Sequence, residues 1–118
     1  MHLVSAEQAE RRVIDSDKVC DAIAALKDPA SIQFAAQQFA LLGDPTRLRV
    51  LVAINAAGPI SVSSLTVATG LTDDQVLQSL RLLRAGNTVA AERNGRVNRY
   101  RIVTEDIAGL VTRMFLRV

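Results

Sequence analysis

Apolar positions recur along this chain at helical spacing, and near residue 89 they switch to alternation. Val19, Ala22, Ile23 and Leu26 fall at i, i+3, i+4 and i+7, which predicts a helix from about residue 16 to Leu26. Ile32, Ala35, Ala36, Phe39 and Leu42 mark a second helix over about 30–42, ended by Gly43. Leu48, Leu51, Val52 and Ile54 mark a third over 46–56, stopped by Gly58-Pro59. A short helix over 63–69 ends at Gly70, and a helix over 73–85 turns Val76, Leu80 and Leu83 inward. A last helix over about 104–116 carries Ile107, Leu110, Val111 and Met114 at the same spacing as the first.

Polar residues punctuate this pattern. Ser16-Asp17 is a cap for the first helix, and Asp28-Pro29 and Asp44-Pro45 each place a capping carboxylate before a proline suited to the first helical turn. Thr72 and Gln75 have capping-box spacing. Ile60-Ser61-Val62 reads as a short strand that pairs with a hairpin over Val89–Arg101, whose turn is Asn94-Gly95, two residues that tolerate positive φ. The expected fold is mostly α with a small β-hairpin: a winged helix-turn-helix between Leu41 and Ile102. Such a unit presents a helix end to the major groove of DNA and a wing to the phosphates. Residues 1–15 are expected to form an N-terminal arm and residues 16–118 the domain with its flanking helices.

At 118 residues the chain fits one domain. Its aromatic share of 3% leaves the core to Leu, Val, Ile and Ala. Apolar runs such as Val50–Ile54 are too short to span a bilayer, so no membrane partner is expected. Met1–Glu7 has no basic segment leading into a long apolar one, so no secretory signal is expected, and the single cysteine suits a reducing cytoplasm. With one histidine and one cysteine, no nucleophilic triad and no glycine-rich phosphate loop after a strand, neither enzyme activity nor a cofactor is expected.

Charge changes the picture more. Residues 1–45 carry four basic against seven acidic side chains, whereas residues 46–118 carry ten arginines, no lysine and five carboxylates. Arginine forks match phosphates and guanine edges better than lysine does. Candidate DNA contacts are Thr72, Asp74, Gln75, Gln78, Ser79 and Arg81 on the second helix of the motif, and Arg93, Arg96 and Arg99 in the wing. Strand alternation sets Arg99 and Arg101 opposite Tyr100 and Ile102. Asp73 and Asp74 complicate this set. Carboxylates at a helix start favour the helix by about 0.3–1 kcal/mol through its dipole, yet they repel phosphate. Capping is the favoured role for Asp73, while Asp74 is open between capping and accepting a hydrogen bond from cytosine N4.

Taken together, Phe39–Leu51, Leu80–Ala85 and Arg93–Tyr100 make the chain resemble the ArsR/SmtB family of small dimeric winged-helix repressors over roughly residues 35–112. The resemblance implies a homodimer joined by its first and last helices, which release double-stranded DNA when an effector binds. Val19, Ile23 and Leu26 would meet Ile107, Leu110, Val111 and Met114 at that interface. The family's metal ligands are missing. Serines stand in Ser61–Leu65 where one site has cysteines, and a second site would align Thr104 and Asp106 with a point near Arg117 or beyond. Serine is a poor ligand for soft metals. His2, Cys20 and Asp106 are the remaining candidate ligands; Cys20 also reads as a small interface residue or a redox-sensitive thiol. Gln78 fits the family's recognition helix and suits adenine, whereas Asp73, Asp74, Leu77 and Ser79 depart from it. Thr88 stands where the family favours an apolar residue, a packing loss at the hairpin base, and Asn87 suits a left-handed turn.

Two functions follow. One is a dimeric DNA-binding repressor whose effector is not a typical metal. The other is a winged-helix interaction module that binds DNA weakly or not at all and acts through a second regulatory protein.

Overall fold

A computed structural model describes residues 14–115. His2 and nearly all of the expected arm lie outside the described residues. The chain divides after Gln37 into two compact units. The first holds α1 (Ser16–Ala25) and the start of α2 (Pro29–Leu42). Helix α1 is preceded by Asp15, whose side chain makes no cap bond, so the Ser16-Asp17 cap expected from sequence is not used. Asp28 does cap: its carboxylate accepts from the Ala30 amide at 3.1 Å and the Ser31 hydroxyl at 2.7 Å. The Ser31 hydroxyl leads in holding this exposed carboxyl below its ordinary pKa range.

The second unit runs from Gln38 through α3 (Pro45–Ala57), β1 (Ile60–Ser61), α4 (Val62–Thr69), α5 (Asp73–Ala85), β2 (Val89–Asn94), β3 (Val97–Ile102) and α6 (Glu105–Phe115). Asp44 caps α3 by accepting from the Arg47 amide at 3.0 Å. The Arg47 guanidinium turns back and donates to the carbonyls of Leu41 at 2.9 Å and Ala40 at 3.2 Å at the end of α2, the second of which also accepts from the Gly43 amide at 3.3 Å. One arginine thus closes the end of one helix while its own backbone opens the next.

The core is aliphatic, as the low aromatic content requires. Val50, Leu51 and Ile54 of α3 meet Leu65 of α4, Val76, Leu80 and Leu83 of α5, Val89 and Tyr100 of the hairpin, and Ile107 and Val111 of α6. Each large side chain so buried contributes on the order of 1.5–3 kcal/mol. Ile107 and Val111 therefore belong to the protomer's own core rather than to a dimer surface, which corrects the sequence expectation for both. The reason is rotational: the stripe on α6 is wider than one contact. Its other edge is exposed, with Leu110 at 36%, Met114 at 58% and Phe115 at 50%. Asn55 of α3 donates to the Thr112 hydroxyl of α6 at 3.0 Å and pins that rotation.

The three strands form an antiparallel sheet in the order β1-β3-β2. Ile60 pairs with Tyr100 and Ser61 with Arg99, so the short strand joins the hairpin as expected. The hairpin turn differs from the expected one. Asn94 pairs with Val97 at the end of the ladder, leaving Gly95-Arg96 as the two-residue loop. Gly95 has φ 69° and Asn94 is not in the positive-φ region. Glycine at the first central position is the II′ pattern, which matches the strand twist. Asn87 is left-handed at φ 58°, as its residue type allows.

Thr88 also departs from expectation. It is fully buried, but its hydroxyl donates to Gln38 Oε1 at 3.3 Å, and Gln38 Nε2 donates to the Gly86 carbonyl at 3.2 Å. Its backbone bonds Leu83 and Val103. The base of the hairpin is tied by a satisfied polar network rather than loosened by a lost methyl group.

Close backbone approach yields a stability prediction. A Cβ on Gly58 would lie 2.6 Å from the Ile54 carbonyl oxygen and 3.2 Å from that of Tyr100, both backbone atoms with little room to yield. Gly58→Ala should lower unfolding free energy by about 1–3 kcal/mol, read as the shift of a denaturant midpoint at unchanged slope.

Candidate nucleic-acid interface

The helix-turn-helix is α4, the turn Gly70-Leu71-Thr72, and α5. Gly70 ends α4 at φ 73°, where a Cβ would be strained whatever the space around it. The turn is held from both sides. Arg49 of α3 donates to the Thr69 carbonyl at 3.3 Å, and the buried Thr69 hydroxyl accepts from the Leu71 amide at 3.3 Å.

The first turn of α5 is a closed capping box. Thr72 Oγ1 accepts from the Gln75 amide at 3.1 Å, and Gln75 Oε1 accepts from the Thr72 amide at 2.9 Å. Both side chains were candidate DNA contacts, and both are occupied in positioning the helix. The Thr66 hydroxyl of α4 donates to Asp73 Oδ1 at 2.7 Å, so Asp73 ties the two helices of the motif together. Asp74 is exposed and makes no hydrogen bond within the described residues.

Beyond the cap, α5 separates cleanly into two faces. Val76, Ser79, Leu80 and Leu83 are buried. Ser79 is only 3% exposed, which withdraws it from the DNA-contact set. It lies three residues from Val76 and four from Leu83, on the inward stripe. The outward stripe is Asp74, Leu77, Gln78 and Arg81, with Arg84 in the last turn. Arg81 Nη1 donates to Gln78 Oε1 at 3.0 Å. Between this stripe and β3 lies an open depression of about 320 Å³, lined by Leu77, Leu80, Arg81, Arg84 and Tyr100.

The wing arginines do not form one patch. Arg96 occupies the turn itself, at the apex. Arg99 and Arg101 lie on the sheet face opposite Tyr100 and Ile102, as alternation requires, and Arg93 lies on the other face, beside Asn98. Arg101 forms an ion pair with Glu92, and Arg93 Nε donates to the Gly95 carbonyl at 3.2 Å, bracing the turn. Arg99 is half-buried between Glu92 and Ser61 in register. Sequence reading did not find the anchoring roles of Arg47, Arg49 and Arg101. Asp44 three residues before Arg47 was a signal for the first; nothing local marks the other two.

Among the described residues no three His, Cys, Asp or Glu side chains come together as a metal site. Cys20 is half-buried on α1, and Asp106 is exposed in the first turn of α6. No helix among the described residues is long and apolar enough to cross a membrane.

No family model and no curated protein matches the chain. Solved structures do. A homodimeric winged helix-turn-helix DNA-binding domain from Mycobacterium bovis, described as a possible ArsR-family transcriptional regulator, is 29% identical, with a TM-score of 0.65 over 73% of this chain and 79% of that one. The cadmium metal-sensor CmtR from Mycobacterium tuberculosis is 32% identical, with a TM-score of 0.60 over 69% and 83%. Reduced HlyU from Vibrio cholerae, 16% identical, shares the fold at a TM-score of 0.70 over 78% and 99%. With the helix-turn-helix and wing in place, and with such identity over more than two thirds of its length, the chain belongs to the ArsR/SmtB-like winged-helix transcriptional regulators.

Proposed function

We propose that this protein is a non-enzymatic repressor that binds operator DNA as a homodimer, with α5 in the major groove and the wing on flanking phosphates. The observation that carries the reading is the outward face of α5. It presents Asp74, Gln78 and Arg81 as polar side chains on a helix whose start is fixed by three side-chain hydrogen bonds. A base-reading helix needs such pre-organisation. Arg93, Arg96 and Arg99 supply the positioning charge. The effector is not a typical soft metal, because the serines Ser61, Ser63 and Ser64 hydrogen-bond one another where thiolates would be needed.

The apolar edge of α6 supports the dimer. Leu110, Met114 and Phe115 are exposed on one helix, a patch that favours burial against a second copy. On α1, Val19 and Ile23 are half-buried, and Leu26, just past its end, is exposed; we assign that stripe to the same assembly. Leu110→Asp should convert the dimer to monomers or aggregates in light scattering. A wild type that is monomeric at micromolar concentration would refute the assembly.

Binding to DNA should be strongly salt-dependent. If about three wing arginines per subunit meet phosphates, a dimer neutralises about six, and log affinity against log salt should slope near −5. Arg96→Ala, at the apex, should weaken binding to all duplexes about equally and make that slope shallower.

The acidic start of α5 favours the second reading, a protein-interaction module, and one pair of variants separates the two. Asp73→Asn should leave base preference unchanged, since the amide oxygen still accepts from Thr66. Asp74→Asn should tighten non-specific binding if Asp74 merely faces the groove, and abolish a cytosine preference if it reads that base. If neither the wild type nor either variant shifts any duplex at low salt in a mobility assay, the repressor reading fails and the interaction module takes its place.

A further inference from the structure

Gln78 and Arg81 stand one turn apart on the outward stripe of α5, and both are exposed. The guanidinium donates to the accepting end of the carboxamide, Oε1, at 3.0 Å. A glutamine reads adenine with both ends: its oxygen accepts from N6 and its nitrogen donates to N7. Here one of the two lone pairs of the accepting end is engaged by a charged donor, and such bonds are stronger than neutral ones. The exposed pair then presents mostly donors, the Nε2 amide and the rest of the arginine fork, against one remaining lone pair on Oε1, because a guanidinium has no acceptor. Guanine offers two acceptors in the major groove, N7 and O6, whereas adenine sets its N6 amino group against this surface. The bond also restricts the Gln78 side chain before DNA arrives, which reduces the ordering cost of recognition.

We propose that Gln78 and Arg81 act as a single donor unit that selects guanine, with Arg81 positioning Gln78. The proposal reverses the adenine preference expected of an isolated glutamine. It rests on the reading of α5 as the helix that enters the major groove.

The test is selection from a random duplex library by the full chain and by Arg81→Ala, Arg81→Lys and Gln78→Ala. Circular dichroism checks that each exposed-site variant folds. The wild type should enrich guanine over adenine by about tenfold at one position of each half-site. Gln78→Ala should remove that preference. Arg81→Ala should shift the same position toward adenine while neighbouring positions keep theirs, and Arg81→Lys, which retains a donor for Oε1, should recover guanine in part. The proposal is overturned if the wild type selects adenine there. It is overturned equally if Arg81→Ala weakens all sequences alike with the guanine preference intact, since Arg81 would then be a phosphate contact only. Salt-dependent binding to a non-specific duplex, measured alongside, separates the two levels. If that binding persists without any preference that Gln78→Ala alters, only the guanine unit fails; if it is absent, the DNA-binding reading fails with it.

Discussion

Helix α5 has one rotation about its axis that buries Val76, Leu80 and Leu83 together against α3, and the interface depends on that rotation. Burial of each of these side chains contributes on the order of 1.5–3 kcal/mol, so turning the helix by a single residue would forfeit several of them at once. The outward direction of Asp74, Gln78 and Arg81 follows from the same constraint. So does the loss of Ser79 as a contact, since it falls on the buried side of the helix. The recognition surface is the complement of a packing solution.

Rotation alone does not fix where the helix starts. That is the work of the polar bonds at the turn, where the Thr72–Gln75 box satisfies amides that the first turn leaves without partners and Thr66 holds Asp73. Two carboxylates in succession look like an obstacle to DNA only if both face the groove. One of them is spent inside the motif, which leaves Asp74 as the acidic group whose direction matters for recognition. A similar division holds at the hairpin base, where the buried Thr88 hydroxyl is bonded to Gln38 and costs the core no unsatisfied group.

The arginines show how tertiary contacts divide a formal charge. Arg47 and Arg49 close helix ends and Arg101 pairs with Glu92, while Arg93 braces the wing turn through Nε and keeps the rest of its fork exposed. The cations best placed for a polyanion are therefore fewer than the ten arginines past residue 45 suggest. They lie on the outer stripe of α5, at the wing apex and on the two faces of the wing. An exposed ion pair such as Arg101–Glu92 contributes little to stability, but it lowers the field that Arg101 can offer to phosphate.

Much of the fold was legible in the residues themselves. The periodic apolar stripes, the Asp-Pro starts and the Thr72–Gln75 spacing placed every helix of the motif to within a residue or two, because caps and amphipathic faces are local physics. The hairpin was legible from its alternation and turn residues, and Ile60–Ser61 was legible as a short strand that could join it. Tertiary structure alone decided which edge of a stripe is core and which is surface: Ile107 and Val111 went in while Leu110 and Met114 stayed out. It also shifted the hairpin turn by one residue, since strand register answers to the whole ladder and not to the Asn-Gly pair. And it assigned each polar side chain its partner, because Arg49 with Thr69, Thr88 with Gln38 and Asn55 with Thr112 are bonds between positions 20 to 57 residues apart, at a distance no sequence pattern encodes.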